Sequence, residues 1–168
     1  VQYLTPLGCE IKEATSYITS KTSKSNLEIC SGVKNVLFQE YQQEFVIDNN
    51  DAHCRFHTYA RQGEKIRLIK YAVFCDSIRH GNCRLQAEAE MERALSTPLE
   101  TLYRKQTAYL EDYWNSCRVD IEGDPESNAA LRYSMYQLLQ SVGKDRFSNI
   151  SPKGLSGDGY KGHFFWDS

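Results

Sequence analysis

The feature that most constrains this chain is a change of hydrophobic period near residue 80. Before that point β-branched and aromatic residues recur with period two, and after it apolar residues recur at helical spacing. One switch from strands to helices predicts an α+β protein with the two kinds of element segregated, not an alternating α/β sheet. Leu37, Gln39, Tyr41, Gln43, Phe45 and Ile47 share one face of a single expected strand, with only the two glutamines out of pattern. Asn49-Asn50-Asp51 breaks that run, His53 to Ala60 resumes it, and Arg61-Gln62-Gly63-Glu64 reads as a hairpin loop. Lys65 to Cys75 is apolar on both faces through Ile66, Leu68, Ile69, Tyr71, Val73 and Phe74, which places this strand centrally in its sheet. Two earlier strands are expected at Lys12 to Thr22 and Leu27 to Ser31, parted by the polar run Lys21 to Asn26. The first third is therefore antiparallel, of meander or sandwich type.

After Gly81, Leu85, Ala89, Glu92 and the pair Met91 and Leu95 predict a weakly amphipathic helix that stops before Thr97-Pro98. Thr97-Pro98-Leu99-Glu100 reads as a capping box: a hydroxyl N-cap, proline at the first helical position and glutamate three residues on. Leu99, Leu102 with Tyr103, Gln106, Leu110, Tyr113 with Trp114, and Cys117 fall on one stripe of a helix of about twenty residues. Trp114 and the tyrosines read as packing residues. Asp124-Pro125, cap then proline, announces a third helix that carries Leu131, Met135, Leu138 and Val142 inward and ends at Gly143.

Charge and composition remove several classes of function. Twenty Lys and Arg against 22 Asp and Glu give a net charge of -2, which argues against a nucleic-acid footprint or a polybasic membrane anchor. With 40% hydrophobic residues and 4 prolines, the chain has the material for a packed core and not the composition of a disordered one. The longest uncharged apolar runs, such as Tyr71 to Cys75, fall far short of the roughly 20 residues of a membrane span, so no transmembrane helix is expected. Val1-Gln2-Tyr3-Leu4 shows no signal peptide, implying that one was removed or that the chain begins inside a longer protein. Cys9, Cys30, Cys54, Cys75, Cys83 and Cys117 form no Cys-x-x-Cys pair and read as free thiols in a reducing cytoplasm. His53 and His57 flank Cys54 but lie about 13 Å apart on a strand, too far to share one ion, and no metal site is expected.

Asn149 to Gly162 holds four glycines and a proline in fourteen positions, a composition for a long irregular loop, and such loops are often functional. It is followed by His163-Phe164-Phe165-Trp166-Asp167, and three adjacent aromatics at a terminus read as a truncation at Ser168. Ile121-Glu122-Gly123-Asp124, Ala130-Leu131-Arg132-Tyr133, Gln137-Leu138-Leu139-Gln140 and above all Lys153-Gly154-Leu155-Ser156-Gly157-Asp158-Gly159-Tyr160-Lys161-Gly162-His163-Phe164-Phe165-Trp166-Asp167 carry a resemblance. Here the chain resembles glycoside hydrolase family 65, the family of maltose, kojibiose, nigerose and trehalose phosphorylases and of acid trehalases. It departs from relatives at Gln106 and Leu110, where they often carry His and Trp, and at Ser168, where Thr-Glu is usual.

The resemblance implies a slice of a larger enzyme: residues 1–80 as the C-terminal part of an antiparallel β-sandwich, 81–120 as a helical linker, and 121–168 as the start of an (α/α)6-barrel with its first helix. It implies an inverting displacement in which a glutamic acid protonates the glycosidic oxygen while inorganic phosphate attacks the anomeric carbon from the opposite face. Phosphate is the co-substrate, no cofactor is implied, and the general acid lies in later barrel helices, so the chain alone is expected to be inactive. Trp166 and Asp167 match the family's pair contacting the transferred glucose: an indole plane for the pyranose face and a carboxylate for two neighbouring hydroxyls. Lys153, Tyr160, His163 and Phe165 are expected to shape the pocket, and Asp158 to brace the loop.

Three readings stay open on the sequence: a phosphorylase fragment for an α-glucosyl disaccharide of the kojibiose or maltose type, a fragment of a trehalase-type hydrolase, and a non-catalytic sugar-binding or structural module. The expected parent is a cytoplasmic homodimer. A fragment with cut strand edges and an exposed helical stripe is expected to self-associate.

Overall fold

In the computed structural model, which describes residues 3–148, six antiparallel strands are followed by three helices, the α+β order that the period change predicts. The strands are β1 Leu4–Lys12, β2 Thr15–Thr22, β3 Glu28–Leu37, β4 Tyr41–Asp48, β5 Asp51–Thr58 and β6 Leu68–Asp76. The helices are α1 Cys83–Ser96, α2 Leu99–Cys117 and α3 Pro125–Ser141. The chain divides into two compact units, residues 1–102 and 103–168.

In the first unit, β1-β2-β3-β6 form one sheet and β4-β5 a second. Two hairpins rest on left-handed backbone at non-glycine residues: Glu13 and Ala14 between β1 and β2, and Asn49 and Asn50 between β4 and β5. Positive φ at both central residues matches the twist of the strands. Asn49-Asn50 advertises such a turn, whereas Glu-Ala does not. The expected strand Lys12 to Thr22 is accordingly β2 preceded by the two-residue turn and the last residue of β1, with the rest of β1 unread before it.

The expected single strand through Leu37 and Ile47 is also cut. Leu37 ends β3 in the larger sheet, residues 38–40 cross over, and Tyr41 starts β4 in the smaller one. Continuous alternation of side chains is blind to a change of sheet. Arg61 to Glu64 does turn, with Gly63 at φ +87, but it joins β5 to a strand of the other sheet and closes no hairpin. Nor is the last strand central: β6 pairs with β3 and lies at the end of the strand order. Its two faces part company, for Cys75 is buried while Phe74 is 74% exposed.

The core lies where α1 covers one face of the larger sheet. Tyr17, Cys30, Cys75, Cys83 and Ala87 form one buried cluster against which Val73 packs. Cys30 and Cys75 are directly paired across β3 and β6, and burial first of all pushes the thiols of Cys30, Cys75 and Cys83 upward, which keeps them neutral. The helix presents Cys83, Ala87 and Met91, one residue every four, so of the expected face Met91 holds while Leu85 and Ala89 turn outward. Leu85 is 63% exposed, because small side chains at 83 and 87 allow the closer approach. Gly32 allows a second close approach: a Cβ there would stand 2.8 Å from the Tyr17 ring and 2.9 Å from Val73. Arg84 lies 3.8 Å over that same ring and pairs with Glu10 and Glu88, while Lys12 pairs with Glu88, so α1 is pinned to β1 at its polar margin. On the opposite face of the sheet, Ser16, Ile18, Ser31, Val33 and Asn35 share a cavity of about 210 Å³ with Ala52 and Cys54 of β5.

The helices start and stop for local reasons. Asn82 caps α1 by accepting from the Leu85 amide at 3.0 Å. Thr97 does not form the expected capping box. Its hydroxyl turns back to donate to the Arg93 carbonyl at 2.6 Å, closing α1 instead of opening α2.

Candidate functional site

The residues with the strongest sequence argument, Trp166 and Asp167 with Lys153, Tyr160, His163, Phe165 and Asp158, lie outside the described residues. What the structure does give is the scaffold that precedes them, built in the second unit from α2, the link 118–124 and α3.

One carboxylate organises the link. Asp120 accepts from Arg118 Nε at 2.5 Å and from Arg132 Nη2 at 2.6 Å, so a residue after α2 is tied to the second turn of α3. The Arg132 hydrogen bond first, then that of Arg118, holds the Asp120 carboxyl below the usual range. Asp124 then caps α3, accepting from the Ser127 hydroxyl at 2.6 Å and the Ser127 amide at 3.0 Å, and these two bonds lower its carboxyl as well. Asn128 reaches back to accept from the Ile121 amide at 3.2 Å. Higher up, the Tyr113 hydroxyl donates to the Met135 carbonyl at 3.0 Å, and burial raises that phenol.

Trp114 is half-buried edge-on against Tyr113, 5.0 Å between ring centres, as a packing residue should be. It also lines a cavity of about 430 Å³ with Asn115, Arg118, Val119 and Arg132. Because Asp120 already occupies both guanidiniums, this cavity is a braced joint more than an anion trap. The stripe of α2 holds at Leu99, Leu102, Leu110, Tyr113, Trp114 and Cys117, all half-buried, but Tyr103 is 66% exposed and Gln106 is exposed. In α3, Leu131 and Met135 turn inward as expected, whereas Leu138 is 58% exposed and Leu139 takes the inner position.

A general acid needs a carboxyl held above its ordinary value. Among the described residues, Asp76, Glu88, Glu90, Asp120 and Asp124 are all shifted the other way, as structural anions. On β5, His53 and His57 point to the face opposite Cys54, whose sulfur accepts from Gln43 Nε2 at 3.1 Å. Sequence reasoning missed the Arg118–Asp120–Arg132 bridge. Its only signal was an aspartate with an arginine two residues before it and another twelve after it, groups that meet only once α3 has formed.

The comparisons bear on both units. Residues 1–113 match the model of the glycosyl hydrolase family 65 N-terminal domain, and residues 132–168 that of the family's central catalytic domain. An α,α-trehalose phosphorylase of Geobacillus stearothermophilus is 36% identical over 152 residues, covering 90% of this chain and 20% of that protein. An uncharacterized glycosyl hydrolase of Mycobacterium leprae (strain TN) is 32% identical over 163 residues, 95% of this chain and 21% of its own length. A kojibiose phosphorylase of Caldanaerobacter subterraneus subsp. tengcongensis reaches 45% over 65 residues, 38% of this chain and 8% of that enzyme. The chain thus spans about a fifth of the length of the curated relatives it matches over most of its residues.

Proposed function

The chain belongs to glycoside hydrolase family 65, and from that premise we propose that it is the junction between the N-terminal and catalytic domains of a disaccharide phosphorylase. The observation that carries the reading is the order of the two matches, N-terminal domain over 1–113 and catalytic domain over 132–168. The parent cleaves an α-glucosyl disaccharide of the kojibiose or maltose type with inorganic phosphate. A carboxylic acid beyond this chain gives its proton to the glycosidic oxygen, the bond from that oxygen to the anomeric carbon breaks, and a phosphate oxygen attacks the opposite face. β-Glucose 1-phosphate and the free second sugar leave. Phosphate is already an anion and needs no base, so one carboxyl does what an inverting hydrolase divides between two.

In this reading Trp166 stacks on the transferred glucose and Asp167 accepts from two of its hydroxyls, with Lys153, Tyr160, His163 and Phe165 around them. The bridge through Asp120 and the cap at Asp124 set the start of α3, the element that leads into that segment. The parent works as a cytoplasmic homodimer without a cofactor; no described helix is long and apolar enough to cross a membrane.

The test is release of glucose 1-phosphate from maltose, kojibiose, nigerose and trehalose by the longer parent, with the 168-residue chain as control. Release that requires phosphate and the longer chain is the expected result. Free glucose without phosphate would move the protein to the hydrolases, and turnover by the short chain would overturn the placement of the acid.

A further inference from the structure

We propose that the β-rich unit carries a second, non-catalytic sugar site, an open cleft that takes a short α-glucan oligosaccharide. The cleft has a volume of about 1100 Å³ and is formed where the two crossovers between the sheets run side by side, residues 38–42 entering β4 and residues 57–64 leaving β5. This is just above the range for small-molecule pockets, about 300–1000 Å³, and suits several linked sugars over one.

Its walls are set before any ligand arrives. Gln39 donates to the Lys65 carbonyl at 3.1 Å and accepts from the Arg67 amide at 3.3 Å, the Phe38 amide donates to the Arg67 carbonyl at 3.1 Å, and Thr58 donates to the Glu40 carbonyl at 2.7 Å. Arg61 and Glu64 close the far turn through two bonds at 3.0 Å. Arg67 stands 4.8 Å over the Phe38 ring, and Tyr41 rests edge-on against Phe56 at 5.2 Å, which orients both rings.

Between these fixed walls stand aromatic and polar groups left open among the described residues. Tyr59 is 84% exposed, and Phe38 is 54% exposed even with Arg67 over its ring. The side chains of Gln42 and His57, facing each other in register across β4 and β5, and the guanidinium of Arg61 make no hydrogen bond to the described residues. An aromatic face beside planar amide, imidazole and guanidinium groups is the chemistry that grips a pyranose: the ring covers its C–H face and the planar groups bridge vicinal hydroxyls. Two carboxylates, Glu40 and Glu64, against one Arg61 make the cleft a poor host for phosphate esters or nucleotides. The choice of α-glucan rests on the proposed function; the cleft itself does not.

The test is an NMR titration of the isotopically labelled 168-residue chain with maltotriose. Saturable shifts confined to residues 38–42 and 57–64 are expected at millimolar sugar. Tyr59→Ala should weaken binding by about tenfold, the order of one lost stacking contact, and Tyr59→Phe should keep most of the affinity because it keeps the ring. Neither change should move the unfolding midpoint, since the side chain is exposed. No saturable response, shifts centred elsewhere, or unaltered binding by both Tyr59→Ala and Arg61→Ala would overturn the site. The titration involves neither phosphate nor turnover, so its failure leaves the phosphorylase reading standing, and an inactive parent leaves the cleft standing.

Discussion

α1 and α3 have similar lengths and caps of the same kind, yet they stand at opposite ends of a scale of burial. α1 seals Cys83, Ala87 and Met91 against the sheet, with Met91 1% and Ala87 0% exposed, while neither α2 nor α3 buries any side chain to that degree. Tyr103, Tyr133 and Leu138 remain more than half exposed on the latter pair. The difference teaches that amphipathicity is only an offer. α1 finds a sheet with a shallow place at Gly32 and thiols beneath it, and its stability is tertiary; α2 and α3 are held chiefly by the Asp124 cap of α3, one tyrosine bond and the Asp120 bridge.

The contrast can be broken most forcefully at Met91. Met91→Ala should cost about 2–5 kcal/mol, the range for emptying a buried site, and hydrogen exchange should show the strands and α1 losing protection while α3 keeps its own. Gly32→Ala comes next, at about 1–3 kcal/mol, because the added carbon meets an aromatic ring that Arg84 also stacks on; Tyr17→Leu in the same chain should recover part of the loss. In the second unit the largest single effect should come from the cap. Asp124→Ala should lower stability measurably by removing the acceptor for the Ser127 amide, read as loss of protection in the first turn of α3 with the first unit unchanged. Leu138→Ala should change stability by less than about 0.5 kcal/mol. A loss of core size there would mean that the exposed face of α3 is covered in solution, and the contrast would fall.

A pH series sharpens the same point. Burial raises the thiols of Cys30, Cys75 and Cys83, so folding favours their protonated form. The stability this gives is complete below the ordinary thiol value of about 8.5 and is lost as pH rises through the higher folded values. Asp120 runs the other way: its lowered carboxyl stabilises the second unit above the ordinary aspartate value of about 3.9, and that contribution fades as pH falls through the folded value. Alkali should therefore loosen the cluster beneath α1 at Cys30, Cys75 and Cys83, and acid should loosen the joint before α3 together with the ion pairs of Asp76, Glu88 and Glu90 in the first unit, measured by exchange rates at both ends of the series. Loss of protection around the three thiols in acid but not in alkali would contradict the assignment.

Much of this architecture was legible beforehand where a local rule had no competitor. Asp124-Pro125 announced α3 to the residue, and Asn49-Asn50-Asp51 the break between β4 and β5, because a cap and a left-handed turn are decided within four residues. Where the sequence misled, a distant partner had decided the matter. Thr97 had everything needed to cap α2 and instead serves the Arg93 carbonyl, and Leu85 held the better hydrophobic face of α1 but lost it to the smaller Cys83 and Ala87. The proposed sugar-contacting pair, Trp166 and Asp167, was legible only through a family motif and lies outside the described residues.

By itself, then, the sequence determined the order of strands before helices, one of the two helix starts it marked with a cap, and the family to which the chain belongs, since all three are written in contiguous residues. Only the tertiary structure decided that Leu37 and Tyr41 belong to different sheets, that β6 lies at an edge, and that residues 38–42 and 57–64 share one cleft. Period and propensity act along the chain. Sheet membership and clefts are made by segments some twenty residues apart that meet only once hydrogen bonds such as Thr58 to Glu40 have formed.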